Sequence, residues 1–271
     1  VVRKPIFAYE GWYEENPTAL REMLGRFTKT DKKPVAGFAV LVPHAGYAFS
    51  GPVAGAAFAS VEITESAVVL SVCHRPSYST PDFALWPEGG WETPLGIAEL
   101  DSELNAHLLE SGVFTPDAQT HMREHSGEMQ LPFLQFFNPN VKVNVIAVNT
   151  HELGALKRAG EALADAIKKT SRRILIAGSG DMSHEEFKSA EFNRSRDQLA
   201  FPFVEKLDAD GFHGAVMKER ISTCGQGTFT VALSAAKALG ATRGELIAYG
   251  SSARGKGVQD YVVSYAGFAV R

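Results

Sequence analysis

Short apolar stretches recur along the chain: VAGFAVLV (35–42), AVVLSV (67–72), VNVIAV (143–148), ILIAGS (174–179), LIAYGS (246–251) and YVVSYAGFAV (261–270). Their near-continuous hydrophobicity, rich in β-branched residues, is the pattern of strands covered on both faces. Between them PTALREMLGRF (17–27), VAGAAFASV (53–61), SELNAHLLES (102–111), ELGALKRAGEALADAIKK (152–169), RDQLAFPFVEKL (196–207) and TFTVALSAAKAL (228–239) space their apolar residues as helices do. The alternation predicts an α/β protein, a three-layer α/β/α arrangement around a mostly parallel sheet. No repeat, low-complexity tract or long linker divides the chain, and the Ser/Pro/Gly-rich segment 76–98 reads as an excursion loop, so one domain over residues 1–271 is expected.

Open α/β sheets bind ligands beyond the carboxyl ends of their strands. There the chain places Pro43-His44, then Cys73-His74, then Asn149-Thr150-His151, then Gly180-Asp181-Met182-Ser183-His184. A lone histidine in a loop is usually just hydrogen-bonded to backbone, but several at equivalent strand ends are made to converge by the topology itself. Three ligands suffice to hold a metal with an open position. Asp181, Glu128 and Cys224 are candidates to complete a pair of histidines.

Cys224 lies in Ser222-Thr223-Cys224-Gly225-Gln226-Gly227, just before a predicted helix whose N-terminus favours a thiolate. Were 121–129 one helix, His121, His125 and Glu128 would share a face; Gly127 and nearby Pro132 argue against it. Gly178-Ser179-Gly180 and Gly225-Gln226-Gly227 fit no phosphate-binding fingerprint and read as tight turns from strand to helix. No nucleophile elbow for a serine hydrolase is present.

Composition narrows the picture further. With 27 Lys and Arg against 31 Asp and Glu, and no basic block, a nucleic-acid or anionic-membrane partner is not expected. No segment reaches the roughly 18 consecutive apolar residues of a spanning helix, and the opening VVRKPIFAYEGWYEENP has no signal-peptide core. Two cysteines, Cys73 and Cys224, are too few for a disulfide framework, and a cytoplasmic protein with free thiols is expected.

Pro43-His44-Ala45-Gly46-Tyr47 with Ser50-Gly51, Glu124-His125-Ser126 with Glu128-Met129 and Leu131-Pro132, and Ser179-Gly180-Asp181 with His184 together resemble the Memo family, called AmmeMemoRadiSam system protein B in bacteria and archaea. The likeness runs discontinuously from Gly11-Trp12-Tyr13 to Val263-Ser264-Tyr265-Ala266-Gly267. Memo proteins in turn resemble the LigB-type, class III extradiol dioxygenases, non-haem iron enzymes of α/β fold. The resemblance implies His44, His74 and Cys224 as metal ligands, with Asp181, His184 and His125 lining the same cleft as catalytic groups and Tyr47 and Glu128 contacting substrate. In that reading Gly46 lets the backbone turn and Gly51 starts the covering helix.

This sequence departs from the family where Ser71-Val72-Cys73-His74 replaces the usual Gly-Pro-(Ser or Asn)-His, so Cys73 competes as a ligand. Gln130 stands where some members carry another histidine, and Cys224, as in the family, replaces the carboxylate ligand of the dioxygenases. A thiolate is softer than a carboxylate, so the one divalent metal, Fe(II) by analogy, has copper and zinc as competitors.

Three functions follow. The first is an iron oxygenase oxidising a small aromatic or phenolic substrate, with His184 or His125 moving protons and Asp181 orienting His184. The second is a non-enzymatic module that binds a peptide, a metal or, by family association, a radical-SAM partner of the same system. The third is a zinc hydrolase. Trp12, Tyr13, Tyr47 and Tyr78 are candidates to line a cleft for a flat ligand.

Overall fold

The alternation of side chains along each central strand sorts the core into two layers. Leu41, Val68, Leu70, Ile146 and Ile176 point to one face of the sheet, in a cluster of 39 buried apolar residues. Their neighbours Val40, Val69, Val145, Leu175 and Ala177 point to the other, in a cluster of 27. This is the two-residue period of a strand buried on both sides. The computed structural model describes residues 1–271 and shows an α/β fold with helices over both faces of a mixed, mostly parallel sheet.

Four parallel strands form the centre, in the order Ala39–Val42, Ile174–Ser179, Ser66–Val72 and Lys142–Val148. Antiparallel strands extend it on both sides, Gln259–Val270 beside Ala39–Val42 and Phe83–Leu85 beside Lys142–Val148. Helices Leu153–Lys169 and Gln226–Ala238 cover the first face; Pro17–Phe27 and Tyr47–Ala59 cover the second. Asn16 starts Pro17–Phe27 by accepting the Thr18 and Ala19 N–H groups at 3.0 and 3.1 Å, and Glu152 caps Leu153–Lys169 in the same way.

Three elements differ from expectation. Segment 76–98 is a packed excursion that carries strands Phe83–Leu85 and Gly90–Thr93 and fully buries Trp86 and Trp91; its turn residues mask short apolar runs. The helix expected over 196–207 is two, Ala190–Asp197 and Phe201–Glu205, because Pro202 lacks the N–H to continue one and starts another. The covering helix begins at Tyr47, so Gly51 lies inside it, where a Cβ would sit 2.4 Å from the Phe27 ring: glycine here permits close helix packing. Nor does Gly46 need special freedom, since its φ of −50° suits any residue.

Strand order decides which predicted residues meet. Ala39–Val42, Ile174–Ser179 and Ser66–Val72 are immediate neighbours, so His44, Asp181 and His74 leave the sheet side by side. His151 follows a strand one place further out and is exposed.

Candidate metal centre

His44, His74 and His125 each present a ring nitrogen, and the three atoms lie within 4.8 Å of one another. The His74 and His125 rings stack with centroids 4.4 Å apart, and His44 stands edge-on to both at 5.1 Å.

Each ring is held from behind. His44 is 2% exposed; its backbone N–H donates to Asp181 Oδ1 at 2.8 Å and its Nδ1 lies 2.8 Å from Ser179 Oγ. Ser179 Oγ gives its one proton to the Ser126 carbonyl at 2.8 Å and accepts from Gln130 Nε2 at 2.9 Å. The proton between Ser179 and His44 is therefore on His44 Nδ1, which leaves the Nε2 lone pair facing the cleft. Glu124 does the same for His74, accepting its backbone N–H at 2.8 Å and its Nδ1 at 2.9 Å. Such carboxylate–histidine pairing fixes ring orientation and raises ligand basicity at metal sites.

Burial alone would raise the Glu124 carboxyl. The hydrogen bond and charge of His74, then His125 and the Ser126 N–H, outweigh it and hold the group far below the carboxylate range. Burial, then the charge of His74, keeps His44 neutral; burial, then His44, pushes His125 down to about 3. Neutral imidazole is the ligand form.

Cys224 stands beside His44, its Sγ 3.3 Å from His44 Nε2, but it lines a neighbouring cavity and lies outside the three-imidazole group. A close approach of two turns puts it there. A Cβ on Gly180 would lie 2.3 Å from Gly225 Cα, so the backbones touch, and the Asp181 N–H donates to Cys224 Sγ at 3.2 Å. Burial and then the Asp181 charge raise the thiol well above its ordinary value; a bound cation would favour the thiolate instead.

A cavity of about 630 Å³ opens above these groups, with Trp12, Phe49, His184, Asp181 and Tyr261 among its walls. His184 Nδ1 lies 2.8 and 3.0 Å from the Met182 and Ser222 carbonyls, so its Nε2 is free. The adjoining Ser183 is anchored by Asp197, which also binds Tyr249 and Ser264.

The structure thus brings His44, His74, His125, Asp181, His184 and Cys224 together. Asp181 does not orient His184 as expected; it binds the His44 backbone, and main-chain carbonyls hold His184. Tyr47 and Glu128 do not line the cavity. The Tyr47 hydroxyl donates to the Met129 carbonyl at 2.7 Å, and Glu128 is fully buried, ion-paired with Arg3 and bonded to Tyr13. Buried hydrogen-bond partners distant in sequence hold both inward, the Met129 carbonyl for Tyr47 and Arg3, Tyr13 and the Phe7 N–H for Glu128.

His121 is also buried apart, because 121–129 is broken into the turn Gln119–His121 and helix His125–Glu128. Cys73 lines a second, smaller cavity with His151 and Cys224, and burial, then Glu124, pushes its thiol up to about 11. Gly178-Ser179-Gly180 leads into strand His184–Lys188 rather than a helix. Among the aromatic candidates Trp12 reaches the cleft, whereas Tyr13 is buried and Tyr78 stands in solvent. Glu124, Ser179 and Gln130 carry no expected role from sequence alone; the signal for them is their place in or beside the blocks that resemble the Memo family, Glu124-His125-Ser126, Ser179-Gly180-Asp181 and the Gln130 position.

A description of Memo-like proteins matches residues 3–269. This chain belongs to the Memo family. It is 34% identical over 268 residues to a MEMO1 family protein of Aquifex aeolicus, with 98% of each chain covered. A MEMO1 family protein of Methanopyrus kandleri is 32% identical, with 99% of each covered. In fold it is similar to the crystal structure of the uncharacterized protein JW3007 from Escherichia coli, with a TM-score of 0.51 at 10% identity over 83% of this chain and 98% of that one. No helix is long and apolar enough to cross a membrane.

Proposed function

We propose that this Memo-family protein holds one divalent metal on His44, His74 and His125, with Cys224 beside His44 as a further ligand, and that it oxidises a small phenolic ligand as extradiol dioxygenases do. The observation that carries the metal site is that Ser179 and Glu124 fix the tautomers of His44 and His74 so that both Nε2 lone pairs are free for the cleft. Three imidazole nitrogens and one sulfur suit Fe(II), Cu or Zn, and the softness of sulfur leaves their order open.

When bound, such a metal supplies Lewis acidity, and iron adds the one-electron chemistry that O2 requires. The rest falls to the chain. Trp12, 4.8 Å from the His125 ring, offers a flat wall for an aromatic ligand. His184 Nε2 can accept a phenolic proton, since its Nδ1 is tied to carbonyls and the ring cannot rotate away without losing them. Asp181 holds the His44 backbone in place.

Elemental analysis of protein purified without oxygen tests this, alongside His44→Ala, His74→Ala, His125→Ala and Cys224→Ser. Near-stoichiometric iron, lost in the His44 and His74 variants, with O2 uptake on adding a catechol, is expected. Full iron loading with no O2 uptake for any phenol would overturn the oxygenase reading. The Cys224 and His125 variants show which of the two completes the ligand set.

A second reading has one observation behind it: Phe49 and Tyr261 are 46% and 53% exposed at the mouth, where they can receive an aromatic side chain of a partner, including a radical-SAM protein. Partner binding lost in Phe49→Ala, without turnover in the wild type, would favour it.

A further inference from the structure

The walls of the cleft carry an uneven charge. No Lys or Arg lines it, whereas Asp181 lies at the floor and Glu10 at the rim. The cation nearest to Glu10 is Arg123, 3.8 Å away, and at 70% exposure it lies outside the lining as a solvated partner. Trp12 and Tyr261 share the walls of the cavity with Glu10. Trp12 is braced by Phe7 at 5.3 Å and His125 at 4.8 Å, so its position does not depend on a ligand. Tyr261 lies 6.4 Å from His184, and burial, then Cys224, Glu186, Asp181 and Glu185, hold its hydroxyl protonated. The mouth is thus an aromatic rim beside a carboxylate, the arrangement that receives organic cations.

We propose that this mouth selects phenolic ligands whose ring substituent is cationic or neutral, rejects those bearing a carboxylate, and does so through Glu10. The inference rests on the reading of the cleft as a site for aromatic ligands. A ring with its hydroxyls on the buried imidazole floor carries its opposite substituent to the rim. An ammonium there meets Glu10 and the faces of Trp12 and Tyr261; a carboxylate meets Glu10 with no cation in the walls to offset it. Attraction in one case and repulsion in the other, each modest at a solvated rim, combine to roughly a tenfold difference in affinity.

The test is calorimetric titration of the protein, with and without zinc as a redox-silent metal, using catechol, 4-(2-aminoethyl)catechol and 3,4-dihydroxyphenylacetate. The amine is expected to bind roughly tenfold tighter than the carboxylate, with catechol between them. Glu10→Lys should invert the order, Glu10→Gln should bring the two together, and neither should move catechol by more than about threefold. Both variants alter an exposed side chain, so folding is not at stake. Equal or tighter binding of the carboxylate, or a ratio unmoved by Glu10→Lys, overturns the selectivity while leaving the aromatic cleft standing. No binding of catechol in either state overturns the aromatic cleft, and the selectivity with it.

Discussion

One carboxylate grips His74 twice: Glu124 Oε2 accepts its backbone N–H at 2.8 Å and Oε1 its ring Nδ1 at 2.9 Å. The same Oε1 accepts the Ser126 N–H and Oγ, each at 2.8 Å, so the loop bearing His125 and the strand end bearing His74 share one anchor. Glu124 thereby sets the relative placement of two imidazoles without being near enough to the cavity to line it.

Glu124→Gln keeps the shape but replaces one acceptor oxygen with a donor. Metal affinity should fall by roughly 10- to 100-fold, as for other residues that orient ligands, with the fold intact by circular dichroism. Competition against a chromophoric chelator measures it; unchanged affinity would show that His74 needs no such support.

Gly180→Ala would place a Cβ 2.3 Å from Gly225 Cα, backbone against backbone. One turn must then retreat, taking Cys224 away from His44. The expected cost is about 1–3 kcal/mol in stability, and the cadmium-to-sulfur absorbance of the cadmium-loaded wild type should be lost in the variant; an unchanged band would count against the idea.

Arg3 and Glu128 form a fully buried ion pair that does not line the cavity. Removing one partner strands the other, so Glu128→Ala should lower stability by about 3–5 kcal/mol. Urea denaturation reads the midpoint. Molecules that remain folded should bind metal as the wild type does, because Glu128 contacts Arg3, Phe7, Ala8 and Tyr13 rather than the imidazoles.

His121 is buried with Nε2 3.0 Å from the Ala84 carbonyl, and burial, opposed in part by that bond, lowers it to about 4. An unfolded chain titrates this residue near 6.5. Between those values the unfolded state binds the extra proton, so the stabilisation is complete above about pH 6.5 and is lost as pH falls toward 4, by about 3 kcal/mol. Urea midpoints at pH 7, 5.5 and 4 should decline accordingly, and less steeply in His121→Gln; parallel slopes would remove His121 from the acid limb.

The sequence by itself determined the element types and their layering, because strand and helix periods are local and both sheet faces had to be apolar. It also determined that histidines stand at successive strand ends, since that needs only the end of each apolar run. Tertiary structure alone decided which of them meet: neighbouring strands bring His44, His74 and Asp181 together, while His151, one strand further out, faces solvent. It likewise turned Glu128 to Arg3, set Asp181 on the His44 backbone, and gave Glu124, Ser179 and Gln130 their holding roles. The reason is physical: a polar group buried on folding takes whichever partner the packed backbones bring within about 3 Å. That partner can be more than a hundred residues away, as Glu128 is from Arg3, and no local pattern records it.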